Sequence, residues 1–181
     1  MNPMDIIETY YPPGSRLHDI FLMHGRSVAA RALAVADNLA GDSVDRKFLE
    51  EAALLHDIGI FMTRTPKIGC FGEYPYICHG YLGRQLLEQR GFFAHALVCE
   101  RHVGVGISAE EIRKRRLPLP EREMQPVSLE EEIICYADKF FSKTLIGEHH
   151  EKSIEEIVDT LKSFGQEKAD KFLFWANWFE R

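Results

Sequence analysis

Six histidine and aspartate side chains interrupt otherwise apolar helical stretches of this chain. In chain order they are His24, His56, Asp57, His79, His102 and Asp138. Burying such groups costs free energy unless they are paired or bound to a metal ion. Helix bundles build metal sites by projecting one or two ligands from each helix into a shared interior. The series therefore predicts a site for one or two divalent ions inside a helical bundle.

The types of these ligands restrict the metal. Imidazole with carboxylate suits Fe, Mn, Co, Ni or Zn, and a carboxylate-rich site also accepts Mg or Mn. The dipeptide His56-Asp57 alone is a weak signal, because His18-Asp19 is a second copy of it. The ordered set is more specific, since the dipeptide comes with a histidine on the preceding predicted helix and a distant Ala137-Asp138-Lys139.

On these residues the chain resembles the HD-domain superfamily of metal-dependent phosphohydrolases. The pattern of that superfamily is a helix-borne histidine, a His-Asp pair and a distant aspartate, which His24, His56-Asp57 and Asp138 match. Some members carry two further histidines that bind a second metal, and His79 and His102 match these. The resemblance covers roughly residues 17–144 and implies an all-α bundle with the metal site in its core.

The resemblance also implies a division of labour among the ligands. The first metal is expected on His24, His56, Asp57 and Asp138, and the second on His79 and His102 with Asp57 as the shared bridge. A water or hydroxide between the ions would be the nucleophile, because paired cations lower its pKa and neutralise phosphoryl charge. We predict Asp57, His56 and Lys139 as catalytic residues, and iron or manganese as the favoured metals.

A phosphorylated substrate also needs cationic side chains. Lys139 and Lys143 are spaced four apart on the predicted Asp138 helix, so they can face the same way. Arg64 and Lys67 belong to the long loop after the His-Asp pair. We expect that loop, residues 61–78, to cover the site and select the substrate. The basic run of residues 113–116 is an alternative phosphate contact, although such runs usually form a solvated face.

These residues favour a hydrolase that cleaves a phosphoester or phosphoanhydride of a nucleotide or similar small substrate. Two alternatives use the same ligands. Some proteins of this fold resemble di-iron oxygenases, which the ligands alone do not distinguish from hydrolases. The other is a nucleotide-sensing module without turnover, against which the complete ligand set argues.

Helical periodicity and punctuation predict the elements that position these groups. The predicted helices cover residues 15–39, 48–58, 79–90, 92–103, 108–116 and 128–144, followed by two that include residues 154–164 and 172–179. No segment alternates like a strand, so the fold class is all-α. We assign residues 1–147 to an HD-type domain and 148–181 to a helical extension packed on it.

Composition limits the partners. The chain has 181 residues and a net charge of -6, which disfavours a nucleic-acid polymer as partner. It shows no apolar stretch for a membrane span and no secretory signal at its N-terminus, and its four cysteines form no CxxC pair. We therefore expect a cytoplasmic protein with reduced thiols. Its partner would be a small phosphorylated molecule. The C-terminal aromatic cluster is expected to pack between helices, with a homodimer contact as the alternative; its members are Phe172, Trp175, Trp178 and Phe179.

Overall fold

The computed structural model describes residues 2–39, 44–143 and 151–181. Its α-helices are α1 (Pro3–Tyr10), α2 (Arg16–Asn38), α3 (Arg46–Leu55), α4 (His79–Gln89), α5 (Phe93–Arg101), α6 (Ala109–Arg115), α7 (Leu129–Asp138), α8 (Ile154–Lys162) and α9 (Gln166–Phe179). Two short antiparallel strands, β1 (Arg64–Thr65) and β2 (Cys70–Phe71), form a small hairpin between α3 and α4. The all-α prediction is confirmed. None of the described helices is long and apolar enough to cross a membrane.

Short polar side chains fix where the helices begin. Ser15 caps α2 and Asp45 caps α3 by accepting a hydrogen bond from a first-turn backbone N–H. Ser128 and Ser153 open α7 and α8 with complete capping boxes, in which a glutamate at the third helical position returns the bond. Each such cap stabilises its helix by about 1 kcal/mol. The caps at Ser15 and Ser128 set the start of the two helices that carry His24 and Asp138.

The largest hydrophobic core lies between α2, α3 and α7 and extends into α8 and α9. Phe172, Trp175 and Phe179 of α9 are buried in it, and the Phe172 ring stacks on Tyr136 of α7 at 5.1 Å between centroids. Tyr136 lies two residues before Asp138. The C-terminal helices therefore support the helix that carries a predicted ligand, while the proposed boundary at residues 147 and 148 lies outside the described residues.

A second core holds α1 against the other side of the site. Tyr11, which follows α1, is fully buried, stacks on Phe21 at 4.2 Å and donates its hydroxyl to the Ile58 carbonyl at 2.9 Å. Sequence analysis missed α1. The usable signal was Asn2 before Pro3, since an N-cap asparagine followed by proline at the first helical position is typical of a helix start.

Two predicted segments differ from the structure. The predicted helix over residues 128–144 is too long, because α7 ends at Asp138 and the chain then tightens into turns closed by the Lys139, Phe140 and Phe141 backbone N–H groups. Lys139 and Lys143 therefore do not share a helix face, and Thr144 lies outside the described residues. The predicted loop over residues 61–78 contains the β1–β2 hairpin, although no strand was predicted there.

Gly59 is where the chain after α3 passes closest to α4. A Cβ on this residue would lie 2.3 Å from the His79 carbonyl oxygen and 2.5 Å from the Gly83 backbone nitrogen, distances that only displacement of α4 could relieve. Gly25, next to His24 in α2, has room, since its nearest neighbours would be 3.4 Å away.

We expect Gly59→Ala to destabilise the metal-free protein by about 1–3 kcal/mol, the usual cost of overpacking. Urea denaturation in the presence of a chelator measures this. Gly25→Ala is the matched control and should be neutral or stabilising, because alanine is favoured over glycine inside a helix. Equal stability of the two variants would contradict the close packing at Gly59.

Candidate metal centre

The six predicted ligands converge in the interior of the bundle. Each has at most 7% of its surface exposed. Their ligand atoms form two groups in which all atoms lie within 4.8 Å of one another. The first group is His24, His56, Asp57 and Asp138, and the second is Asp57, His79 and His102. Residues that are far apart in the chain are thus brought to one place, with Asp57 in both groups.

The first group is centred on His24. Its Nε2 lies 3.0 Å from Asp138 Oδ1, 3.2 Å from His56 Nε2 and 3.2 Å from Asp57 Oδ2. His56 Nε2 is also 3.3 Å from Asp138 Oδ1. Two imidazole nitrogens and two carboxylate oxygens therefore face a common point.

The second group uses the other oxygen of Asp57. His79 Nε2 and His102 Nε2 are 3.1 Å apart, and they lie 3.3 Å and 3.4 Å from Asp57 Oδ1. Asp57 therefore presents Oδ2 to one group and Oδ1 to the other. This arrangement is what a carboxylate that bridges two ions requires.

Helix ends position most of the ligands. His56 follows the last residue of α3, His79 is the first residue of α4, His102 follows α5 and Asp138 ends α7. His24 lies within α2. The helices therefore point their termini, where backbone groups are unpaired, at the cluster.

Three of the histidines are oriented by one repeated contact. The Nδ1 atoms of His56, His79 and His102 lie 2.6, 2.6 and 2.7 Å from the backbone carbonyl oxygens of Ala53, Tyr76 and Cys99. In each pair the carbonyl is three residues earlier in the chain. Because a carbonyl only accepts, each Nδ1 donates, and Nε2 keeps a free lone pair whenever the ring is neutral. Metal-ligating histidines typically carry such a second contact. Burial favours the neutral form of His56, but Asp57 and Asp138 outweigh it and raise the pKa of His56 to about 9, so a metal would displace a proton there.

The donor set fits a cation. With Nδ1 committed as donor, His79 and His102 bring two Nε2 lone pairs within 3.1 Å of each other, and two acceptors cannot hydrogen-bond. Both Asp57 oxygens are buried without a well-formed hydrogen bond among the described residues, although the Lys143 ammonium lies 2.7 Å from Oδ2. A positive ion between these atoms would satisfy all of them. Imidazole and carboxylate together suit a divalent transition metal.

The electrostatics of the cluster keep the carboxylates charged. Burial by itself would raise the pKa of Asp57, but Lys143 and His56 outweigh it and hold that pKa well below its ordinary value. Burial would likewise raise the pKa of Asp138, but Lys139 and Lys143 outweigh it and hold that pKa well below its ordinary value. Burial lowers the pKa of His79 to about 3 and also lowers that of His102. The second group therefore presents neutral imidazoles, the form that binds metals.

The predicted phosphate-binding cations fall into two classes. Lys139 and Lys143 reach the cluster, since the Lys139 Nζ lies 2.7 Å from Asp138 Oδ2 and Lys143 makes the Asp57 contact described above. Arg64 and Lys67 are exposed on the loop that follows α3. The structure brings the first two, and not the second two, to the predicted ligands.

A cavity of about 170 Å³ opens onto the cluster, which we call the mouth. Its walls include His79, His102 and Asp138, together with Lys139 and Lys143. The loop of residues 61–78 was predicted to cover the site, and Tyr76 of that loop lines the mouth.

Sequence analysis missed Tyr76, whose ring is 4.6 Å from that of His79 and whose hydroxyl pKa burial raises to about 12. It also missed the backbone turn at Val103-Gly104, which completes the wall of the mouth. For Tyr76 the available signal was its position three residues before the predicted ligand His79, whose ring the Tyr76 carbonyl orients.

Comparisons with known proteins agree with this geometry. The HD domain family matches residues 21–143. An uncharacterised protein of Methanocaldococcus jannaschii is 36% identical over 136 residues, which cover 75% of this chain and 68% of that protein. No solved structure gives a significant match.

Two further relatives are named tRNA (cytidine(56)-2'-O)-methyltransferase. The one from Picrophilus torridus is 29% identical over 82% of this chain and 41% of its own length. The one from Thermoplasma volcanium is 32% identical over 83% of this chain and 39% of its own length. This chain therefore spans about two fifths of the length of these two methyltransferases.

We expect Asp57→Asn to abolish metal binding at both groups, because the amide keeps the shape but loses the charge that both groups share. Elemental analysis of the purified protein measures the metal content. Asp19→Asn is the matched control, since Asp19 belongs to the second His-Asp dipeptide and its side chain is 46% exposed. Full metal content in Asp57→Asn would refute the site.

We expect His102→Gln to lower the metal content from about two equivalents to about one, because His102 contributes to the second group only. The same elemental analysis reads this out. His95→Gln, a change at a partly buried histidine beside Glu51, should keep the wild-type content. Loss of all metal from His102→Gln would show that the two groups do not bind independently.

Proposed function

Because the chain belongs to the HD-domain family, we propose that it is a metal-dependent phosphohydrolase. The proposed reaction is cleavage of a phosphoester or phosphoanhydride bond in a nucleotide or similar small phosphorylated substrate. The observation that supports this most strongly is the pair of lysines at the mouth, next to two groups of metal-type ligands. Buried groups of metal-type ligands beside two lysine ammonium groups suit an anionic substrate better than a neutral organic one.

The bound metal would supply an activated water and neutralise charge on the attacked phosphoryl group. The chain supplies the rest. Asp57 belongs to both ligand groups. The backbone carbonyls that accept from Nδ1 of His56, His79 and His102 fix the orientation of these rings. The cluster is nearly closed to solvent, so interactions between its charges are stronger than they would be in water.

Lys139 and Lys143 have a proposed double role. In the structure each neutralises a carboxylate of the cluster, Lys139 at Asp138 and Lys143 at Asp57. Cations held by those carboxylates would compete for the same oxygens. The ammonium groups would then be available to the phosphate oxygens of a substrate in the mouth, as charge-assisted hydrogen bonds require. Lys139, proposed as catalytic, would act by this contact.

The activity named for the two tRNA methyltransferases is not proposed here. This chain spans about two fifths of their length, and its buried imidazole and carboxylate groups are those of a metal-ion site. The net charge of -6 likewise favours a small phosphorylated substrate over a nucleic-acid polymer.

The experiment that tests the proposal is metal analysis run beside a phosphate-release screen on nucleotides with Mn²⁺, Mg²⁺ and Fe²⁺. We expect about two metal equivalents and metal-dependent phosphate release that a chelator abolishes. Asp57→Asn is the inactive control.

Other outcomes would overturn the proposal in identifiable ways. Two irons with oxygen uptake and no phosphate release would indicate a di-iron oxygenase. Tight nucleotide binding by the metal-free protein, with no turnover in any metal, would indicate a sensing module. Absence of metal under every condition would mean that the ligand series has another role.

A further inference from the structure

A second cavity, which we call the side cleft, lies next to the mouth. It has a volume of about 370 Å³ and is bordered by the turn over residues 103–107, the end of α6, and helices α8 and α9. Its walls are mainly apolar side chains, including Ile77, Val103, Leu161 and Phe164. The volume falls in the range of roughly 300–1,000 Å³ that is typical of small-molecule sites.

The side cleft and the mouth are neighbours that share part of their walls. Val103, Gly104 and Lys139 contribute to both cavities. Lys139 belongs to this shared wall, with its ammonium group on Asp138 of the metal cluster. A molecule with its phosphate in the mouth would reach the side cleft by passing Lys139.

We propose that the side cleft binds the nucleobase of a nucleoside phosphate whose phosphoryl group lies in the mouth. This inference rests on the proposed function and specifies its substrate class. Thr160, Leu161, Phe164 and Lys168 of the cleft lie beyond residue 143, where the HD family match ends. The C-terminal part of this chain would thus contribute to base selection.

The chemistry of the walls fits an aromatic heterocycle. Apolar side chains line the faces of the cleft, and the Phe164 ring is 53% exposed and free to stack on a base. The walls also carry a polar part, in which Glu111 is ion-paired with both Arg115 and Lys168. A base has apolar faces and a polar edge, so it matches both parts of the cleft.

A hydrocarbon chain fits less well. It would cover the polar part of the wall without returning a hydrogen bond, and burying charged or polar groups in this way is costly. Lys168 Nζ donates to the Gly106 carbonyl at 2.8 Å and pairs with Glu111, which places donors and acceptors side by side in that part of the wall. A heterocycle edge with both donor and acceptor atoms complements such a pair.

Thr160 offers a way to fill the cleft without touching the metal cluster. It is an exposed residue of α8 that lines the cleft and donates its hydroxyl to the Glu156 carbonyl at 2.8 Å. Thr9 of α1 is a matched control, because it is also exposed and donates to the carbonyl four residues earlier, that of Asp5, at 2.7 Å. Tryptophan is introduced at each position.

The first measurement is saturation-transfer NMR on metal-free protein with adenosine, guanosine, cytidine and uridine, and with decyl phosphate as the hydrocarbon probe. We expect transfer to at least one nucleoside in the wild type and in Thr9→Trp, and its loss in Thr160→Trp. Transfer to none of the nucleosides, transfer to decyl phosphate alone, or equal loss in both variants would overturn the inference.

The second measurement is the KM of the metal-loaded enzyme for the matching nucleoside monophosphate and for ribose 5-phosphate. We expect Thr160→Trp to raise the first roughly tenfold or more, a typical effect of pocket filling, and to leave the second unchanged. An equal rise for both substrates would overturn the inference. Nucleoside binding without phosphate release from any substrate would refute the proposed hydrolase and leave the base site standing.

Discussion

The buried charge of Asp57 is the constraint on which the rest of the structure depends. A carboxylate with 1% of its surface exposed must be compensated nearby, and here Lys143 and His56 hold its pKa low. Three further ligands, His24, His79 and His102, lie at its two oxygens. The helices around it can only pack in an arrangement that brings His24, His79 and His102 to its two oxygens. Burial of the Asp57 charge costs free energy. The same residue fixes the relative placement of α2, α4 and α5.

That constraint is supported from both sides by ordinary hydrophobic packing. On one side Tyr11 stacks on Phe21 and hydrogen-bonds the backbone next to Asp57. On the other side the aromatic face of α9 packs on Tyr136, two residues before Asp138. A larger side chain at Gly59 would push against α4, and loss of aromatic side chains from α9 would loosen the packing on Tyr136. Either change would reach the ligands through the hydrophobic layers around them. The polar centre is therefore only as well defined as the apolar layers around it.

Much of this could be predicted from sequence, because the ligands are polar residues in apolar helical stretches and the caps are local signals. Ser15 and Ser128 mark helix starts by chemistry within four residues, and the order of His24, His56-Asp57 and Asp138 is typical of one family. The end of α7 at Asp138 could not be predicted, since residues 139–143 include no glycine or proline and the contact of Lys143 with Asp57 is a tertiary one. The side cleft was equally hidden, because its walls come from segments that are far apart in the chain.

The carbonyl contacts behind the imidazoles have a kinetic consequence. Ala53 and Cys99 belong to the last turns of α3 and α5, and Tyr76 to the short turn that leads into α4. A ring fixed to such a carbonyl cannot rotate on the picosecond-to-nanosecond timescale of free side chains. Local opening of the helix end would free the carbonyl and with it the ring. The residence time of an ion held by these rings would thus depend in part on the fraying of the helix termini around it.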